Sequence, residues 1–385
     1  MSRVVVAIYI DPDFYPPTIN AILNLANEFS EVVVVTRNNS KTDFPFPTNV
    51  KLCKTGKFKP VAETEIQNLF YKIFSFIKFT FRLLQKTIGN KTSLLILFDP
   101  MPLLAFSLIS RFLSGRLITW YHNHDMPDVS LTKKFTLGWF AAKREHSIMT
   151  RINYFSLPSQ DRIQFYPEWQ NHEHYFYIPN YPSEFVYGKI KYKKVHSNEI
   201  KLIFQGAIGH GHALEEFISL LPEKIKGFSL RLVLKGPVRP RYKEKLMQLA
   251  QKYGVEDQLL WIGVGPYSEL PSITSSCNIG IAIHMGKDNV SRTLGTASNK
   301  IYEYAAVGLP VILSDDNQFT GYLMKYKWAF FTDGSVDGIR ETLSMIIPVI
   351  NEYADLAITD FGRELNFEKA YIPALRIVKA KCPKR

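Results

Sequence analysis

The sequence predicts an α/β protein of two doubly wound, Rossmann-like domains. Three observations carry that expectation. Strand-length runs at residues 4–10, 32–36 and 94–98 are apolar without polar alternation, the pattern of strands buried on both faces of a parallel sheet. Such runs alternate with helix-length segments in both halves of the chain. The length, 385 residues, exceeds one usual core and suits two domains of about 180 residues each.

Taken in order, residues 4–10 form the first strand, closed by Asp11 and Asp13, with no glycine-rich loop in Pro12-Asp13-Phe14-Tyr15-Pro16-Pro17. A helix over 19–29, a strand over 32–36 and a strand over 94–98 follow. Asp99-Pro100 starts a helix over 101–113, because a proline without an N–H is tolerated only in the first turn. A strand over 116–121, a helix over 130–150 and a strand over 152–157 complete the first half. The second half repeats the plan, with strands at 201–205, 230–235, 259–262 and 279–283 and helices at 214–221, 241–253 and 267–276. Ser298 caps a helix from Asn299, Gly308-Leu309-Pro310 stops it, and an apolar strand over 311–313 follows. Residues 366–381 are helical in pattern. Right-handed crossovers place the strand C-terminal ends on one edge of each sheet, where ligands bind.

Composition narrows the class. A hydrophobic fraction of 46% is globular rather than disordered. Three cysteines, Cys53, Cys277 and Cys382, are widely spaced and odd in number, which gives neither a disulfide framework nor a zinc spacing and points to a reducing compartment. Met1-Ser2-Arg3 runs straight into the first strand, so the start reads as a buried strand and not a signal peptide, and no uncharged run is long enough to span a bilayer. The expected location is cytoplasmic.

The net charge of +12 is unevenly placed. Between Lys51 and Lys91 nine Lys/Arg face only Glu63 and Glu65. Within that stretch residues 69–84 are apolar over most of a helical circumference, with cations at helical spacing. One reading is a helix packed on the sheet with snorkelling lysines; the other is a helix lying on an anionic membrane, each cation contributing about 1 kcal/mol. Both hold if one face meets the sheet and the basic rim, residues 57–91, meets lipid. Lys189, Lys191, Lys193 and Lys194 form a second basic cluster. No aromatic-basic RNA motif or recognition helix is present, so nucleic acid is not an expected partner.

Three clusters carry candidate chemistry. The helix from Asn299 offers free backbone N–H groups and the dipole's positive end to a phosphate, with Lys300 in its first turn, and the Glu303 carboxylate suits sugar hydroxyls. An ordinary amphipathic helix with a surface Lys and Glu reads the same way locally. The loop Gly206-Ala207-Ile208-Gly209-His210-Gly211-His212 permits close backbone approach to a diphosphate but lacks the dinucleotide glycine order. Lys235, Arg239 and Arg241 follow the next strand and can supply charge. Third, Trp120-Tyr121-His122-Asn123-His124-Asp125-Met126-Pro127 follows a strand at its functional end. A histidine there can hydrogen-bond a sugar hydroxyl or, with a near-neutral pKa, take a proton; a structural role is the alternative, and His124 is preferred over His122. Asp13 can orient an acceptor hydroxyl. Asp11 and Asp13 have an Asp-x-Asp spacing with Pro12 between them, and Asp315-Asp316 diverge, so no metal and no cofactor are expected.

Several of these segments resemble one family. Ser298 through Leu313 is similar to the signature of GT-B glycosyltransferases, especially retaining family four within group one. Ile178-Pro179-Asn180-Tyr181-Pro182 resembles the family's V-P-N hinge. Phe204-Gln205-Gly206-Ala207 with Leu214-Glu215-Glu216-Phe217-Ile218 resembles the opening of its C-terminal domain, Leu259-Leu260-Trp261-Ile262-Gly263 with Glu269-Leu270-Pro271 its F-L-G … E-L-P region, and the Trp120–Pro127 cluster its Y-D-x-H-D-x-x-P segment.

The resemblance implies two domains facing across a cleft: an acceptor domain at 1–182, a basic linker at 183–199, a nucleotide-sugar domain at 200–365 and a helix at 366–385 crossing back. It implies metal-independent transfer from a nucleotide-sugar to a glycan or lipid-linked acceptor, as in bacterial surface polysaccharide assembly. Glu303 would hold the ribose; Ser298, Asn299, Lys300 and the 206–212 loop the diphosphate; Tyr267 would border the base; His124 would meet the transferred sugar. Two departures stand out. His210 and His212 replace the family's loop cations. The earlier glutamate of retaining members is missing, since counting back from Glu303 reaches Gly295, with Thr293 and Thr296 nearby. A nucleotide-sugar epimerase and a catalytically degenerate membrane scaffold are the other readings.

Overall fold

A computed structural model describes residues 3–41, 44–89, 92–126, 129–130, 132–190, 192, 197–286 and 292–383. Pro127, Lys91, Lys191, Lys193 and Lys194, singled out above, lie outside the described residues. The chain divides into two units, Met1–Pro179 with Phe367–Arg385, and Asn180–Asn366.

In the first unit seven parallel strands form one sheet, β1 (Arg3–Ile8), β2 (Glu31–Arg37), β3 (Val50–Thr55), β4 (Thr92–Phe98), β5 (Ile118–His122), β6 (Tyr154–Leu157) and β7 (Tyr175–Tyr177), in the order β3-β2-β1-β4-β5-β6-β7. Chain direction reverses its progress beside β1, which pairs Val4 with Val32 on one side and Leu94 on the other. Val4, Val5, Val6, Leu94, Leu95 and Ile96 are all buried, as apolar runs without alternation require. The helices are α1 (Pro16–Glu28), α2 (Val61–Glu65), α3 (Leu69–Thr87), α4 (Pro100–Ile109) and α5 (Leu137–Met149).

The second unit holds six parallel strands, β8 (Glu199–Gln205), β9 (Ser229–Lys235), β10 (Leu259–Gly263), β11 (Ile279–Ala282), β12 (Val311–Ser314) and β13 (Ala329–Thr332), in the order β10-β9-β8-β11-β12-β13. Its helices are α6 (Glu184–Tyr187), α7 (Leu214–Leu220), α8 (Pro240–Tyr253), α9 (Leu270–Thr274), α10 (Asn299–Ala306), α11 (Asn317–Leu323), α12 (Val336–Ile346) and α13 (Ile350–Arg363). The last helix, α14 (Phe367–Lys381), returns to the first unit, where Tyr371 stacks on Trp120 at 5.3 Å and Glu368 accepts from Asn24.

The expected two-sheet α/β architecture is present, and the departures are local. The helix expected over 130–150 starts at Leu137, because Thr136 Oγ1 accepts from Trp139 N–H and fixes the N-cap there. The segment expected as a helix over 267–276 is a 3₁₀ turn, Tyr267–Glu269, leading into α9. Strand β3 interleaves lysines with apolar residues and sits at the sheet edge, so it lacks the signature of a buried strand. Among the described residues no helix is long and apolar enough to cross a membrane.

Candidate functional site

In the second unit the candidate groups gather where β8 and β9 end. Gly206 follows β8 with φ +125°, and Gly236 follows β9 with φ +140°, backbone that side chains rarely adopt. A Cβ on Gly236 would lie 2.0 Å from the Gly206 carbonyl oxygen, so only glycine permits this approach. Gly206 N–H donates to Lys235 O at 2.9 Å and Gly236 N–H to Gly263 O at 3.0 Å, which ties the three strand ends together.

Helix α10 brings its first turn to this spot. The Lys300 Nζ lies 4.1 Å above the Phe204 ring centroid, and a Cβ on Gly206 would sit 3.6 Å from its Cε and Nζ. Burial pushes the Lys300 ammonium down to about 8, with Glu303 working against it. Ser298 occupies the N-cap position, but the expected side-chain cap bond is absent, so it leaves the N–H groups of the first turn uncapped. Asn299 Oδ1 is buried with no hydrogen-bond partner among the described residues.

Glu303 is not the exposed carboxylate of an ordinary amphipathic helix: it is buried, 3% exposed. Gln205 Nε2 donates to its carboxylate at 2.5 Å, and the Tyr267 and Tyr187 hydroxyls lie beside it and favour its charged form. Gln205 is itself fixed, accepting from Thr274 Oγ1 at 2.9 Å and donating its N–H to Tyr304 at 2.9 Å. Burial raises the Glu303 pKa to about 7 despite these donors and Lys300. Tyr267 therefore meets the carboxylate, a position its sequence spacing did not suggest.

The two loop histidines part company. His212 Nδ1 donates to Ile283 O at 2.8 Å, its ring lies 4.6 Å from Phe204, and burial followed by the Lys300 charge lowers its pKa to about 4. It is a neutral, oriented neighbour of Lys300. His210 is 73% exposed, 3.6 Å from Glu215, with its ring 4.2 Å from Tyr242. Lys235 is buried and donates to Gly263 O at 2.9 Å, which commits it to the strand-end loop, and burial lowers its pKa. Arg239 and Arg241 are exposed at the start of α8.

In the first unit His124 is buried and its ring stacks on Phe98 at 5.1 Å. Its N–H donates to Asp99 Oδ1 at 2.9 Å and its carbonyl accepts from the buried Arg162. Burial lowers its pKa to about 3, which favours the hydrogen-bonding role over proton uptake near neutrality. Its Nδ1 has no partner among the described residues, which leaves it able to hydrogen-bond. His122 has Ser156 Oγ 2.8 Å from its Nδ1, and burial lowers its pKa. Asp13 accepts from Ser40 Oγ at 2.8 Å and Phe44 N–H at 3.0 Å, so both oxygens already anchor a neighbouring loop.

Sequence reasoning missed Asp99, which adopts φ 67° after β4 and receives the N–H groups of both His124 and Asp125. It also missed the buried Glu145, which accepts from Tyr121 at 2.6 Å, Asn123 at 2.5 Å and Tyr166 at 3.0 Å beneath the same loop. Neither had a local signal, because each is recruited from another element. Among the described residues no group of three or more His, Cys, Asp or Glu is placed to hold a metal ion.

Helix α3 has two faces. Phe76, Phe79 and Leu83 are buried, whereas Phe70 is 85% exposed and Phe74, Ile77 and Phe81 are exposed with it. Lys78 Nζ lies 4.3 Å from the Phe74 ring and Lys59 Nζ 4.1 Å from the Tyr71 ring.

Residues 189–347 match the family model of the glycosyl transferases group 1. Among solved structures, the chain is similar to sucrose-phosphate synthase from Thermosynechococcus elongatus at 11% identity, covering 99% of both chains with a TM-score of 0.70. It is similar to Anabaena HepE in complex with UDP and glucose at 12% identity, covering 99% of this chain and 100% of that one, TM-score 0.69. WaaG, a glycosyltransferase involved in lipopolysaccharide biosynthesis, is matched at 14% identity over 97% of this chain and 99% of that one, TM-score 0.64. No match was found among curated proteins. At these identities the likeness establishes the fold, that of a two-domain GT-B protein, and the family match covers residues 189–347 of the second unit.

Proposed function

We propose that the chain is a metal-independent glycosyltransferase that moves a sugar from a nucleotide-sugar to a glycan or lipid-linked acceptor, in bacterial surface polysaccharide assembly. The observation that carries this reading is the packing of the Lys300 ammonium and an uncapped helix start against side-chain-free backbone at Gly206. A cation, a helix start that no side chain caps and a glycine backbone beside them suit a diphosphate. Glu303 would receive the ribose hydroxyls, held for that purpose by Gln205, Tyr267 and Tyr187. Arg239 would add charge from the start of α8. Neutral His124 would accept a hydrogen bond from a sugar hydroxyl through Nδ1, and Asp13 would support the acceptor side by holding its loop rather than by direct contact. Stabilisation of the departing nucleoside diphosphate would come from these fixed charges and dipoles.

Retention is the stereochemical outcome we favour, although Gly295 stands where retaining members have a glutamate. HepE was crystallised with UDP and glucose, so a uridine nucleotide is the first donor to test. The location we propose is cytoplasmic and peripheral, with the exposed face of α3 on an anionic membrane, for which its aromatic and cationic composition is suited. The test is a thermal-shift screen against UDP-, GDP-, CMP- and dTDP-sugars followed by a product assay. Stabilisation by one donor class and transfer to acceptor are expected. Release of free sugar without transfer would favour the epimerase, and no binding of any donor the scaffold.

A further inference from the structure

The first unit contains a cavity of about 280 Å³ at the ends of β1, β2 and β4, and its wall includes Phe98 and Asp99, which hold His124. Its walls are mostly apolar, from Ile10, Val61, Phe98 and Met101, with Asn39 and Thr64 among them, and a single cation, Arg37, reaches it from the end of β2. The Arg37 guanidinium lies 4.7 Å over the Tyr9 ring and forms no ion pair with any described residue. A half-buried guanidinium without a carboxylate partner is a waiting site for an anion, and its planar fork suits phosphate. The one acid in the wall, Asp99, accepts the N–H groups of His124 and Asp125, and burial raises its pKa to about 7, which weakens its opposition to an anion.

The cavity also borders the helix with the exposed apolar face. Its Tyr9 packs edge-on against Phe79 and Phe76 of α3 at 5.1 and 5.9 Å. Its Val61 and Thr64 belong to α2, which leads through the exposed Ile66 directly to Leu69 and Phe70. Cations Lys78 and Arg82 of the same helix are exposed. An apolar-walled cavity holding one unpaired guanidinium beside an apolar, cationic surface matches a molecule that has both a hydrocarbon chain and a phosphate.

Resting on the transferase reading, we propose that the acceptor is a lipid phosphate, its phosphate held by Arg37 in this cavity and its hydrocarbon chain continuing toward the outer face of α3 in an anionic leaflet. A free phosphate shares the anionic chemistry but has no use for the apolar walls.

The test titrates the full-length protein calorimetrically with a short-chain, water-soluble polyprenyl phosphate and, separately, with inorganic phosphate. Flotation with phosphatidylcholine vesicles, with and without phosphatidylglycerol, reads the surface. Wild type should bind the polyprenyl phosphate, Arg37→Ala at least tenfold more weakly, and inorganic phosphate should bind far more weakly than either. The double variant Phe70→Ser/Phe74→Ser should bind the soluble probe as wild type does and lose flotation with anionic vesicles. Equal affinity in wild type and Arg37→Ala, equal affinity for the two probes, or unchanged flotation of the double variant overturns the proposal. Nucleotide-sugar binding is measured alongside and should be untouched by Arg37→Ala; its absence from wild type, with lipid phosphate still bound, would count against the transferase reading alone.

Discussion

At the residue scale the candidate site depends on two glycines, the Lys300 ammonium over Phe204 and the buried Glu303 carboxylate. A side chain at Gly236 would occupy the space of the Gly206 carbonyl, at 2.0 Å, in backbone of φ +140°. Gly236→Ala should therefore cost about 2 kcal/mol or more in denaturant-midpoint measurements, well beyond an ordinary surface change. Lys300 was legible in the sequence because cap, first turn and glycine stop are all local signals around Ser298 and Gly308. Gln205 and Gly236 were not, since their roles appear only when β9 is placed beside β8. The buried state of Glu303 was equally hidden, because Tyr187, Tyr267 and Gln205 converge on it from three separate elements. The Lys300 pKa of about 8 gives a further expectation: apparent affinity for a nucleoside diphosphate should fall as pH rises through about 8, and Lys300→Arg should extend binding to higher pH.

At the element scale α3 separates burial from exposure within a few residues. Phe79 is wholly buried and Phe74 is 56% exposed. Phe79→Ala should destabilise by about 3–5 kcal/mol, whereas Phe74→Ser should leave stability within about 0.5 kcal/mol; urea unfolding of both variants checks the contrast. Equal losses would mean that the outer face of α3 is covered. The two faces were foreseeable from the sequence, because cations recur at helical spacing among the phenylalanines. The edge strand β3 escaped notice for the same kind of reason in reverse: its lysines disguise a strand that one side of the sheet leaves open.

At the scale of the whole molecule, buried titratable groups give stability a pH dependence of two signs. His124 and His212 have folded pKa values depressed to about 3 and about 4, so their contribution is full above the ordinary value of 6.5 and is lost as pH falls through the folded values. Glu303 and Asp99 are raised to about 7, so their contribution is full below 4.5 and 3.8 respectively and is lost as pH rises through about 7. His212→Asn should consequently show a shallower acid limb than wild type in a midpoint-versus-pH series. Both sheets were readable as apolar runs alternating with helices, because strands buried on both faces leave that pattern whatever their order. The order itself, with β1 and β8 central, comes from crossover handedness and packing that no single segment encodes.

The most direct measurement is isothermal titration of the full-length protein with the nucleoside diphosphate whose sugar stabilises it best, using wild type, Glu303→Ala and His124→Ala. Saturable one-to-one binding in wild type is expected, with a loss of at least tenfold for Glu303→Ala and a smaller change for His124→Ala. Equal affinity in wild type and Glu303→Ala, or no binding by wild type, would contradict the assignment of the Gly206, Lys300 and Glu303 cluster as a nucleotide site.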